Sequence, residues 1–158
     1  MPASWPDKSN NSCRSEVPAV KRRHNSQLLR LHVEKRSHGR CEYCHAPQRA
    51  CAYRFHLEHI KPRSRGGSDA SSNRALACAA CNLSKSNQEK GLDPRTGELI
   101  DLFNPRRQKW EDHFYWASDQ ETLVGRTRCG RATVLALDMN EELRRAPRKL
   151  WFDRGFLP

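Results

Sequence analysis

Residues 55–73 read FHLEHIKPRSRGGSDASSN: two histidines flank a glutamate, a basic loop with a Gly-Gly pair follows, and an asparagine closes it. The segment lies between two Cys-x-x-Cys pairs, CEYC at Cys41 and Cys44 and CAAC at Cys78 and Cys81. A two-residue gap lets both thiolates of a pair face one ion. Two such pairs complete a closed tetrahedral zinc site with Zn–S bonds of about 2.3 Å. A redox task for the thiols is the alternative, although one pair would serve for that. Zinc would tie residue 41 to residue 81 and close the intervening chain into a compact loop that a small core would not hold alone. His45 is left out as a ligand because four cysteines already fill the shell. Cys13, Cys51 and Cys129 have no matching spacing and read as lone thiols.

Composition agrees with a metal-supported domain. A chain of 158 residues with 36% hydrophobic and 30% charged side chains is one domain's worth, with a modest core. The net charge of +11 points to a polyanionic partner, and solubility alone is the competing explanation. The excess is uneven. Residues 1–40 carry 9 Lys and Arg against 3 Asp and Glu, residues 41–90 carry 8 against 4, and residues 91–158 carry 12 against 11. The basic half is therefore the half with the cysteine pairs. No apolar run approaches the length of a membrane span, and the N-terminal stretch lacks the apolar centre of a secretory signal. A reducing, cytoplasmic location is expected, where paired cysteines read as metal ligands before disulfides.

Working outward, residues 1–24 contain Pro2, Pro6 and Pro18 with little periodicity. They are expected to form a mobile basic arm, with Lys21, Arg22 and Arg23 able to touch phosphates. SQLLRLHVEKRS predicts a helix capped by Ser26, carrying Leu29 and Val33, and ended by Gly39. ACAYRFHLEHI, residues 50–60, predicts a strand. Tyr53, Phe55, Leu57 and His59 fall on one side, with Arg54, His56 and Glu58 on the other. Pro62 and Gly66-Gly67 break it, and CNLSKSNQ predicts a short helix after the second knuckle. Further on, LDPRTGEL marks a turn before LIDLF. HFYWASDQETLVG reads as two strands around Ser118 and Asp119, and GRATVLALDMNEELRR as helix with Asn140 capping a second one. Trp110, Trp116 and Trp151 lie where charge is balanced and read as core.

The order acid-His, Gly-Gly, Asn, then Cys-x-x-Cys-Asn resembles the HNH endonucleases. CEYC, FHLEHIKPRSRGGSDASSN and CAACNLSK carry the likeness over roughly residues 26–90, and DPRTGEL onward resembles an extension found in part of that family. The resemblance implies an α+β fold with a small ββα-metal, treble-clef-like core stapled by a four-cysteine zinc. A basic helix precedes it and a mixed C-terminal extension is packed on it, giving an arm over 1–24, a nuclease core over 25–90 and an extension over 91–158.

The resemblance also implies a metal-dependent endonuclease that hydrolyses DNA phosphodiester bonds, with structural zinc and catalytic Mg²⁺ or Mn²⁺. His59 is the expected general base, since a neutral imidazole accepts a proton near physiological pH. Glu58 and Asn82 are the expected oxygen ligands of the divalent cation, which polarises the phosphate and stabilises the departing oxygen. Asn73 is expected to tie the Gly-Gly loop to the strand and to orient the His59 ring. His56 reads as a wall residue, and His113 resembles an extension position of underived role. Three departures stand out. Glu58 replaces a commoner Asp, Asn82 stands where many relatives carry His, and Pro147 interrupts a helix near the C-terminus.

Lys61, Arg63, Arg65, Arg74 and Lys85 are expected to grip phosphates around the cut, giving affinity that falls with salt instead of base preference. A solvated basic loop is the plainer reading of the same residues. The helix at residues 26–37 offers further groove contacts without a base code. DNA is the expected partner, a homodimer is one arrangement for double-strand cutting, and no membrane is involved. A noncatalytic zinc-binding nucleic-acid module is the alternative function, and an RNA-directed nuclease a further one.

Overall fold

The computed structural model describes residues 19–157. The chain runs α1 (Ala19–Arg36), β1 (His56–His59), β2 (Arg74–Ala77), α2 (Ala79–Lys85), β3 (Lys90–Leu92) and β4 (Leu99–Asp101). It continues through α3 (Trp110–His113), β5 (Phe114–Trp116), β6 (Leu123–Gly125), α4 (Arg128–Ala136), α5 (Glu142–Arg145) and α6 (Arg148–Asp153). The strands pair as three antiparallel hairpins, β1–β2, β3–β4 and β5–β6. This is a mixed α+β fold with small antiparallel sheets, a buried four-cysteine cluster and an N-terminal helix.

The first helix begins at Ala19, so Ser26 lies inside it and is not its cap. Residues 1–18, including Cys13, fall outside the described residues, and the arm expected over 1–24 is met only where its end becomes helix. His38 and Gly39 both adopt left-handed φ, and Gly39 N–H donates to the Glu34 carbonyl, which satisfies the last turn. Arg30 and Arg36 turn inward. Arg30 donates to the Phe55 carbonyl at 3.1 Å and Arg36 to the Ser71 carbonyl at 2.8 Å. These cations, expected in a groove, instead clamp the helix onto the ββα unit.

The strand predicted over 50–60 is shorter, His56–His59: a 3-10 turn at Gln48–Ala50 ends where it was to begin, and bends and irregular chain fill 51–55. The register pairs Leu57 with Leu76, Glu58 with Ala75 and His59 with Arg74. Adjacent side chains take opposite faces, as the pleat requires. Glu58 is on the buried face, over the small Ala75, while His59 shares the more open face with Arg74. The turn predicted at LDPRTGEL joins β3 to β4, and the hairpin predicted around Ser118 and Asp119 is present as β5–β6. Asp119 accepts hydrogen bonds from the Glu121 and Thr122 amides to shape its turn.

Asn140 is not a helix cap. Its side chain bridges the Leu123 backbone, accepting from N–H at 2.9 Å and donating to C=O at 2.8 Å, while Glu141 caps α5. Pro147 stands between α5 and α6, where its ring would clash inside a continuous helix. One buried cluster runs from Val33, Tyr43, Phe55 and Leu76 to Phe103, Trp110, Phe114, Leu123 and Leu137, so the C-terminal elements share a core with the cysteine-bearing ones. Trp110 links them directly, its indole N–H donating to the Tyr43 carbonyl at 2.8 Å. No helix among the described residues is long and apolar enough to cross a membrane.

Candidate active site and metal centre

The thiols of Cys41, Cys44, Cys78 and Cys81 lie within 4.8 Å of one another, and all four residues are buried. Local backbone brings them there. Cys41 N–H donates to the Ala46 carbonyl and His45 N–H to the Cys41 carbonyl, curling the first pair into a knuckle. Cys78 begins α2, and its sulfur accepts from the Cys81 N–H. Cys44 and Cys78 sulfurs are 3.7 Å apart, which matches the roughly 3.8 Å edge of a tetrahedron with Zn–S bonds near 2.3 Å. The cluster therefore fits zinc in both chemistry and size. His45 does not join it, because its ring stacks on Trp110 at 4.0 Å; burial there pushes its pKa down to about 4. Arg144 reaches from α5 to donate to Cys81 Sγ at 2.8 Å, a contact no spacing rule signals.

His59 sits at the end of β1 with both ring nitrogens engaged. Nε2 is 2.8 Å from Asp69 Oδ1, and Nδ1 is 3.2 Å from an Arg74 guanidinium nitrogen. A guanidinium only donates, so the nitrogen facing Arg74 carries the lone pair and the ring proton is on Nε2, given to Asp69. Arg74 also donates to Asp69 at 2.8 Å and to the Leu57 carbonyl at 3.0 Å. The Asp69 carboxyl is held below its usual range, first by its bond to His59 and then by the charges of Arg63 and Arg74. Asp69 was missed in the sequence. Its signal is an acid ten residues after the histidine, in a loop that must fold back.

Asn73 does tie the Gly-Gly loop, but not through the ring. Its Oδ1 accepts from Lys61 N–H at 2.9 Å, and its Nδ2 donates to the carbonyls of Lys61 at 3.0 Å and Ser68 at 2.9 Å. Asp69 and Arg74 orient the imidazole instead, because the hairpin register sets Arg74 directly across from it.

Glu58 lies on β1 and the half-buried Asn82 on α2. The Glu58 carboxylate is almost wholly buried. Its Oε2 accepts from the Tyr43 hydroxyl at 2.7 Å, and Lys85 Nζ lies 2.6 Å from Oε1. Burial, and next the Glu58 charge, hold the Tyr43 phenol well above its ordinary pKa, so it stays a donor. Oε1 receives no hydrogen bond of acceptable angle, which leaves it a buried oxygen balanced by a nearby positive charge. Carboxylate and amide oxygens suit a hard divalent ion, and the ammonium marks a position where a cation belongs.

The expected phosphate grips divide. Lys61, Arg63 and Arg65 are exposed, Arg63 near Asp69 at 3.6 Å and Arg65 near Glu89 at 3.5 Å. Lys85 is instead buried on Glu58 and donates to the His59 carbonyl at 3.1 Å. Arg74 is committed to Asp69, His59 and Leu57. Their cations serve the interior of the site because α2 and β2 face inward at those positions. His113 bonds the Thr127 hydroxyl at 2.7 Å, next to the start of α4.

A ββα unit with a buried thiol cluster and an acid–imidazole pair on β1 defines a small domain that could bind a metal ion. Residues 41–88 match the model of the HNH endonuclease family, and this part of the chain is an HNH endonuclease domain. The family is a nuclease family, which implies a nucleic-acid substrate. Searches of curated proteins and of solved structures return no match.

Proposed function

We propose that the protein is a metal-dependent endonuclease that hydrolyses DNA phosphodiester bonds, with His59 as general base. The observation that carries this reading is the placement of His59, its Nε2–H turned to Asp69 and its Nδ1 lone pair to Arg74. The lone pair at Nδ1 takes the proton of an attacking water. Asp69 supports the positive ring that results, as a carboxylate behind an imidazole does in hydrolases. Arg74, on the same side as the lone pair, is positioned to meet a phosphate oxygen when substrate displaces it from the ring. Glu58 and Asn82 would hold a divalent cation, which supplies Lewis-acid polarisation of the phosphate and charge for the departing 3′ oxygen. Zinc on the four cysteines holds the frame. Lys61, Arg63 and Arg65 on the open loop contact flanking phosphates. The products are 5′-phosphate and 3′-hydroxyl ends.

The test is a plasmid-cleavage assay with Mg²⁺ or Mn²⁺, comparing the zinc-loaded chain with His59→Ala and offering single-stranded RNA in parallel. Wild type should relax supercoiled DNA while His59→Ala, equally folded and equally able to bind DNA, does not. Equal binding with no cleavage by either protein overturns the enzyme reading, and preferential RNA cleavage overturns the substrate.

A further inference from the structure

Lys85 and Glu58 carry a consequence for the metal site. Both side chains are almost fully enclosed, 2% and 3% exposed, and their charged atoms are 2.6 Å apart. Lys85 follows Cys81 by one helical turn on α2, so the zinc knuckle that sets the start of the helix also fixes where this ammonium goes. Its second contact is the His59 carbonyl, which ties it to the strand bearing the general base. The carboxylate and ammonium together are neutral. A divalent ion added at Glu58 with Lys85 still in place would put two like charges together in a buried site, where repulsion is poorly screened. Ammonium and metal are therefore alternatives. The carboxylate oxygen facing Lys85 has no well-angled hydrogen bond, so the contact between these two groups is one of charge. An exit is at hand. Lys85 lines a cleft of about 810 Å³ shared by Lys61, Asn73 and the exposed Arg107 of the extension.

We propose that Lys85 is a built-in competitor for the divalent cation. It neutralises Glu58 before the metal arrives and exchanges with it on loading, its ammonium moving into the cleft beside Lys61 and Arg107, where the chemistry suits a phosphate group. This rests on the reading of Glu58 as a metal ligand. Lys85 is a positioning residue on this account, and it sets the affinity of the site for metal.

The experiment measures Mn²⁺ binding to the full zinc-loaded chain by electron paramagnetic resonance, without DNA, for wild type, Lys85→Met, Lys85→Gln and Glu58→Gln. Zinc content and circular dichroism report folding. Lys85→Met should bind Mn²⁺ at least tenfold more tightly than wild type, since the metal no longer displaces an ammonium. Lys85→Gln keeps a hydrogen-bond donor without the charge and should tighten binding similarly, which preserves the test if the methionine variant does not fold. Unchanged or weaker binding in a folded Lys85 variant, while Glu58→Gln abolishes it, overturns the competition and leaves the ligand reading intact. Wild-type Mn²⁺ binding that survives Glu58→Gln unchanged overturns the ligand reading itself.

Discussion

Replacing Gly67 with alanine places a methyl group against the backbone. A Cβ built there lies 1.8 Å from the Lys61 carbonyl oxygen, 2.7 Å from its carbon and 2.9 Å from Asn73 Nδ2, where ordinary contact is 3.4–4 Å. The methyl group would wedge between this carbonyl and the Asn73 amide that donates to it, so the loop must move and break that latch. Overpacking of this kind costs about 1–3 kcal/mol. Three exposed hydrogen bonds of Asn73, each at the low end of the usual net range, about 0.5 kcal/mol, add to it and bring the expected total to about 3.5 kcal/mol. Its neighbour is the control. Gly66 has φ +78° and nothing within 4 Å of a built Cβ, so Gly66→Ala meets only left-handed strain of about 1–2 kcal/mol. The two adjacent substitutions should therefore differ by about 2 kcal/mol, roughly 30-fold in the folded-to-unfolded ratio. Urea unfolding of both variants at saturating zinc, followed by tryptophan fluorescence, measures this. Gly66→Ala proving as costly as Gly67→Ala would refute the close-approach argument.

Other outcomes follow from the same geometry. Removing zinc with a chelator should abolish cooperative unfolding of the whole described core, because the knuckles and Trp110 share it; a sharp transition surviving without metal would count against the staple. Arg144→Gln should weaken zinc affinity, measured by competition with a chromogenic chelator, by about 10–100-fold, the usual scale for losing a partner of a metal ligand, and an unchanged affinity would show the Cys81 contact to be idle. Asp119, held down to about 2 by Thr122 and the turn amides, contributes stability that is full above its unfolded value near 3.9 and lost as pH falls through about 2. Asp119→Ala should thus unfold at a lower temperature than wild type at pH 7, and the gap should narrow steadily as acid is added below about pH 4. A gap that widens in acid would contradict the assigned sign.

The metal chemistry was legible because spacing alone dictates it. Two Cys-x-x-Cys pairs predict a tetrahedral thiolate site wherever the chain between them goes, and the Glu58-His59 pair predicts opposite faces in any strand. Of the ββα unit, the short helix and the end of β1 were legible from the residues, whereas β2 was implied only by the family resemblance. Less visible were partners that meet only across the fold. Asp69 bonds His59 because the loop doubles back, Arg74 faces the ring because of the hairpin register, and Arg144 reaches Cys81 from 63 residues away. Asn140 shows the same limit at a helix end. Its capping preference is local, while the open backbone of Leu123 offers it two bonds that only tertiary packing supplies.

By itself, then, the sequence determined which four thiols can share a metal ion, since ligand type and short spacing are properties of the local chain. Tertiary structure decided which face of β1 is interior, and with it that Glu58 is neutralised by Lys85 while His59 is turned by Asp69. Burial and charge pairing depend on what packs opposite, and no periodicity along one strand encodes that.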